Sequence, residues 1–199
     1  MTLRLTLLGV GAMNSPRYPP AGLLLRFSGH QIVFDGGPGA EPPDGVAAWL
    51  VTDERAELRT ALRRLAAARG LTPRIGHYTG DSVRVEPHPV EHTSHPTVGY
   101  AISAGRTTVV WAPEFWRFPS WAAGADLLFA DAAGWNRPIR FRGGVGGHAS
   151  VRDVAANAVR LRVRRVVYAH IGRPCLRAID AGLDPPYGEW GVTGRSYDV

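Results

Sequence analysis

The sequence predicts a mixed α/β fold: two β-sheets covered by helices in a four-layer αββα sandwich. Two observations lead there. Short apolar runs of strand length, punctuated by glycine and proline, recur along the whole chain. These runs come first in each half, ahead of one clearly amphipathic helix per half. No repeat, linker or low-complexity stretch separates the halves, so the 199 residues read as one domain, 1–199, long enough for a substantial core.

In order, LRLTLLG (3–9), GLLLRF (22–27) and QIVFD (31–35) read as strands, divided by Gly9, Gly11, Ser28-Gly29 and Gly36-Gly37. VAAWLV (46–51) is a further buried strand. The clearest helix runs from Glu54 to Arg69, with Leu58, Ala61, Leu62, Leu65 and Ala68 on one stripe. Thr52 or Asp53 can cap it, Glu54 and Glu57 suit the positive end of its dipole, and Gly70 and Pro73 stop it. Strand character returns in 82–92, 97–103, 107–112 and 125–132. A glycine-rich loop, GGVGG (143–147), precedes a second amphipathic helix from Val151 to Leu161. The last strand, RRVVYAH (164–170), runs into a Gly/Pro-rich tail.

Composition narrows the class. With 45% hydrophobic and 20% charged residues the chain reads as a soluble globular protein. No apolar run approaches the roughly 20 residues that span a bilayer, so no membrane partner is expected. The start, MTLRLTLLGVGAM, reads as a strand and turn rather than a signal peptide. The lone Cys175 excludes an internal disulfide and fits a reducing cytoplasm. The net charge of +6 comes entirely from arginine. GC-rich coding explains that usage, and so does an anionic partner gripped by guanidinium groups. There is no aromatic-basic interleaving of the kind that lines a single-strand-binding groove.

Histidines mark the ends of the apolar elements. His92 and His95 follow one strand, His148 precedes the second helix, and His170 ends the last strand. Such placement points to a site along one rim of a sheet. The aromatic residues Trp111, Phe115, Trp116, Phe118, Trp121 and Trp135 are expected around that site. Core packing accounts for at least half of them, and the rest would line an apolar pocket for a small organic substrate.

Seven landmarks, in order, resemble the metallo-β-lactamase superfamily over nearly the whole chain. LTLLGVGA is similar to its first strand, IVFDGGPG to its Asp-x-Gly turn, and VEHTSHPTVGY to the segment carrying its fourth histidine. VVWAPEF is similar to the segment of the bridging aspartate, with Glu114 in register. GADLLFADA is similar to the strand ending in an acid, here Asp131. GGHAS is similar to the Gly-His-Ser turn of the tRNA 3′-processing nucleases, and VVYAHI to the strand ending in the last ligand histidine. The resemblance implies a hydrolase acting on a phosphodiester or other ester, with His92, His170 and Glu114 as metal ligands and His148 as the catalytic proton donor. It also implies that Asp35, His95 and Asp131 support the ligands.

The chain departs from the family where the signature His-x-His-x-Asp-His belongs. LVTDERAEL stands there, and no signature histidine is present. Two zinc ions need about eight N, O or S donors, water included, so the usual dinuclear centre is not expected. Three readings compete. In one, Asp53 and Glu57 join His92, Glu114 and His170 in a carboxylate-rich site for one divalent ion, Zn, Mn or Fe, with Asp53 also catalytic. In another, no ion is bound, Asp53 is an N-cap, and the protein is a metal-free pseudoenzyme or binding protein. In the third, the site is reorganised as in the pyrroloquinoline quinone biosynthesis protein PqqB. That relative shares the Thr-Asp pair of Thr52-Asp53 and similar later segments but keeps the closing Asp-His. The expected partner is a small-molecule or phosphate-containing substrate. A nucleic acid is less favoured because no inserted tRNA-gripping arm is seen, and a homodimer is compatible with the sequence.

Overall fold

The computed structural model describes residues 2–199. Its first sheet is built from β1 (Arg4–Gly9), β2 (Gly22–Phe27), β3 (His30–Asp35), β4 (Ala48–Leu50) and the C-terminal β14 (Ser196–Asp198), in the order β14-β1-β2-β3-β4. The second has seven strands: β5 (Tyr78–Gly80), β6 (Val83–Val90), β7 (Thr97–Ala104), β8 (Thr107–Ala112), β9 (Leu127–Ala132), β12 (Val166–Ile171) and β13 (Glu189–Trp190). They run in the order β13-β12-β9-β8-β7-β6-β5. A small ribbon pairs β10 (Ile139–Arg140) with β11 (Gly147–His148).

The two-residue period of the strands decides what each face touches. On β2, Leu23 and Leu25 enter the large core between the sheets, while Leu24 points outward to a second, smaller core. On β3, Ile32 and Phe34 face inward and Val33 outward. Leu62 and Ala66 of α1 (Arg59–Ala67) cover the outer face. On the other side α2 (Val151–Arg160) lies against β9 and β12. A third helix, α3 (Arg173–Asp180), buries Cys175 and Leu176 in the main core. Helices thus flank two sheets in the expected four-layer arrangement. Among the described residues no helix is long and apolar enough to cross a membrane.

Two local expectations are corrected. The first helix begins at Arg59 rather than Glu54, and Leu58, not Thr52 or Asp53, is its N-cap, with no side-chain cap bond. The reason is that the polar groups of 52–54 have other partners: Thr52 Oγ1 donates to Asp35, Asp53 accepts the Arg55 amide, and Glu54 accepts the Ile75 amide. Side chains of this kind stabilise turns at the expense of helix. The Gly/Pro-rich tail, in turn, contains α3, β13 and β14. Pro174 lies in the first turn of α3, where the missing N–H costs no helical bond.

Candidate functional site

Parallel pairing brings the carboxyl ends of β8, β9 and β12 to one edge of the second sheet. Ala112 of β8 pairs with Ala130 of β9, and Asp131 pairs with Ala169 of β12. Glu114 follows β8 by two residues, Asp131 lies near the end of β9, and His170 sits at a register shift in β12 between Ala169 and Ile171. At that irregularity His170 takes φ +56°, and Asp35 at the end of β3 takes φ +48°. His and Asp tolerate this left-handed region better than most residues, and sheet irregularities of this kind re-aim a side chain beside functional sites. These ends open into a cavity of about 720 Å³.

Glu114 lies at its centre. One carboxylate oxygen is 2.7 Å from His92 Nε2 and the other 3.1 Å from His170 Nδ1. His92 Nδ1 donates to the Gly147 carbonyl at 2.9 Å, and the Gly147 amide returns a bond to the His92 carbonyl. This reciprocal contact requires glycine: a Cβ on Gly146 would run into the His92 carbonyl and one on Gly147 into that of Ile139. A carbonyl and an ionised carboxylate are both acceptors, so His92 makes its two bonds only with protons on both nitrogens.

The electrostatics agree. Burial opposes protonation of His92, but the hydrogen bond and charge of Glu114 outweigh it and hold the imidazole up at about 9. Burial likewise opposes charging His170, and the Glu114 charge and hydrogen bond again prevail and raise it. Burial would raise the Glu114 carboxyl, yet the charge and hydrogen bond of His170, with those of His92, keep it well below the usual carboxylate range. Asp35 is different. Burial lifts it to about 7, although it accepts from the Thr52 amide, the Thr52 hydroxyl and Trp111 Nε1.

His148 belongs to the same cluster, with its ring 4.7 Å from that of His92 and 5.1 Å from that of His170, centroid to centroid. Asp131, fully buried, accepts the amides of Phe115 and Ala133 and holds His148 Nδ1 at 2.8 Å. The imidazole is thereby oriented with Nε2 as its remaining polar atom, the arrangement of an acid–base histidine backed by a carboxylate.

The opposite wall, residues 52–58, is built differently. Asp53, buried, lies 2.9 Å from His95 Nε2 with both oxygens and also accepts the Arg55 amide at 2.7 Å. Glu57 is exposed on the rim. The structure therefore brings together His92, Glu114, His170, His148 and Asp131, and pairs Asp53 with His95. It does not bring Asp53 or Glu57 to the Glu114 cluster, because Asp53 is held by its own turn and Glu57 points to solvent.

The donor set can be compared with a metal centre. The Nδ1 anchors of His92 and His148 are those that orient a metal-ligating histidine. What differs is the opposite nitrogen of His92, which meets Glu114. Among the described residues no group of three or more His, Cys, Asp or Glu side chains is arranged to hold a metal ion. Two zinc ions need about eight donors, and these residues do not fit such a centre.

None of the six tryptophan and phenylalanine residues expected near the site lines the cavity. Trp111 and Phe115 are in the core, Trp121 stacks on His88, Trp135 packs against Trp190, and Trp116 lies under Arg140. Phe141 lines it instead, edge-on to His92 and His148 at 5.5 and 5.4 Å. Its position just before GGVGG was the available signal. Arg173, at the start of α3, also lines the cavity, and its role was hidden with the helix that carries it.

Comparison with known proteins places the fold. The family model described as "Beta-lactamase superfamily domain" matches residues 42–171. The metallo-beta-lactamase fold protein YhfI from Bacillus subtilis is similar over the full length of both chains, with 12% identity and a TM-score of 0.78. A diphosphatase of the PhnP family is 15% identical, with 100% of this chain and 98% of that chain covered and a TM-score of 0.75. Zn(2+)-bound PqqB from Methylobacterium extorquens is 15% identical, with 98% and 100% covered and a TM-score of 0.70. No curated protein matches the chain in sequence.

Proposed function

This chain belongs to the beta-lactamase superfamily, and from that premise we propose that its cavity binds a phosphate-bearing small molecule without the two-metal centre. One observation carries the reading. Three of the four carboxylates that line the cavity are matched by donors of the protein itself, while its two guanidinium groups are not. Asp35 is held by Thr52 and Trp111, Asp53 by His95, and Glu114 by His92 and His170. Arg55 and Arg173, both exposed, line the same cavity with no carboxylate partner among the described residues, against one unpaired acid, the exposed Glu57. A ligand entering therefore meets hydrogen-bond donors and positive charge, which favours an anion. The phosphate class is supported by the fold shared with the PhnP-family diphosphatase.

A second reading, hydrolysis of the bound ester, is favoured by the Asp131–His148 pair. Water would attack the phosphorus as the bond to the leaving oxygen breaks, and His148 would protonate that oxygen from Nε2, with Asp131 holding the imidazole through Nδ1. In both readings the His92–Glu114–His170 cluster shapes the floor.

Calorimetric titration of chelator-treated protein with inorganic phosphate, paired with a phenyl phosphate hydrolysis assay whose poor leaving group requires protonation, tests both. The first reading predicts phosphate binding unaffected by chelator. The second adds turnover that His148→Ala lowers by about 10²-fold or more. Binding or turnover that disappears with chelator and returns with zinc would overturn the metal-independent reading.

A further inference from the structure

We infer that Arg55 is the specificity-determining anchor for the phosphate, held in place by a turn that replaces the metal-binding wall of the fold. The inference rests on the binding reading above and names the residue that does the recognising. Each residue before Arg55 is fixed by a different part of the protein. The Thr52 amide donates to Asp35 at 2.7 Å and its carbonyl accepts the Val98 amide at 2.9 Å. Asp53 is clamped by His95 and by the Arg55 amide itself. Glu54 is bonded to the Ile75 amide at 2.8 Å. These contacts reach β3, β7, the loop after β6 and the segment after α1, so the backbone that delivers Arg55 is anchored on four sides.

The Arg55 side chain lines the cavity, and no hydrogen bond or ion pair engages its guanidinium among the described residues. Several other arginines of the chain are paired, as with Arg4 and Asp198, Arg17 and Asp180, Arg164 and Asp126, and Arg165 and Glu189. Arg55 is exposed where it lines the cavity, and the anchored backbone beneath its unengaged guanidinium lowers the ordering cost of binding. The planar fork matches two oxygens of one phosphate, which a lysine ammonium cannot do. In LVTDERAEL, which stands where the His-x-His-x-Asp-His signature belongs, Arg55 is in register with the second histidine, so a cation of the protein stands where the resemblance places a metal ligand.

The test is calorimetric titration of the full chain and its variants with inorganic phosphate. Arg55→Ala is expected to weaken binding about 10- to 100-fold, the usual cost of a charge-assisted hydrogen-bond pair. Arg55→Lys is expected to recover only part of the loss. Arg63→Ala, on the exposed face of α1 and outside the cavity, is expected to bind as the wild type does. Thermal melting of each variant confirms that the fold is retained. Wild-type affinity in Arg55→Ala overturns this inference and leaves the binding reading standing. Failure of the wild-type protein to bind phosphate at millimolar concentration overturns both.

Discussion

The strand-end rim of His92, Glu114, His148 and His170 and the turn of residues 52–58 face the same cavity, but their polar groups are satisfied in different ways. On the rim, charged side chains satisfy one another: two imidazoles share one carboxylate, and a third is held by Asp131. In the turn, the acids are tied mostly to the backbone, through the Arg55 and Ile75 amides, and only Asp53 has a histidine partner. The rim is therefore an electrostatic unit whose members depend on one another. The turn is a piece of loop architecture whose side chains act singly. Substitutions should separate the two behaviours.

The largest effect is expected on the rim. Glu114→Ala removes the acceptor shared by two buried histidines, and an uncompensated buried charge costs about 3–5 kcal/mol. Because 26% of the Glu114 side chain is exposed, about 3 kcal/mol of unfolding free energy should be lost in urea titration. A loss below about 1 kcal/mol would mean that the three groups do not form a unit.

His92→Gln follows, at about 2 kcal/mol for a lost charge-assisted bond, and it should change the pH profile. His92 is raised from 6.5 to about 9 on folding, so its contribution is complete below pH 6.5 and is lost as the pH rises through 9. Glu114 is lowered from 4.5, so its contribution is present above that pH and is lost as the pH falls through its depressed value. Asp35, raised from 3.8 to about 7, favours its protonated form, so its contribution fades as the pH rises across that interval. Stability should decline between pH 6.5 and 9, and His92→Gln should flatten that decline. An unchanged slope in the variant would assign the titration elsewhere.

In the turn, Asp53→Ala should cost about 1 kcal/mol, as for a local side-chain cap of a backbone amide, and should loosen Arg55. Hydrogen exchange of the 52–58 amides is the measurement, with faster exchange expected there and none on the rim. The smallest effect is expected at Glu57. Glu57→Gln should stay within about 0.5 kcal/mol of wild type, as for an exposed surface position. A larger loss would show that the rim and the turn are joined after all.

Much of the rim was legible in the sequence, because it lies at the ends of strongly patterned apolar strands. The placement of His92 and His170 follows from the apolar runs that form β6 and β12, and that of His148 from the glycine-rich loop before α2. In the turn, Asp53, Glu54 and Glu57 suit a helix start as well as they suit a loop, so local spacing alone points to a helix there. What decided between them is non-local. Asp53 finds its partner at His95 and Glu54 at Ile75, contacts set by tertiary structure that no local spacing encodes. The third helix was obscured by the glycine and proline around it, although Pro174 in its first turn is compatible with helix. The aromatic lining was misjudged for a related reason. Clustering along the chain does not say which face of a strand or loop a ring occupies, and Trp111 and Phe115 face the core.

His92, Glu114 and His170 satisfy one another rather than a pair of metal ions. Elemental analysis of the full chain, purified without chelator and then incubated with equimolar Zn, Mn or Fe and desalted, tests it most directly. Metal well below one equivalent per chain is expected, with the same content in His170→Ala. One or two retained equivalents, lost in His170→Ala, would contradict it.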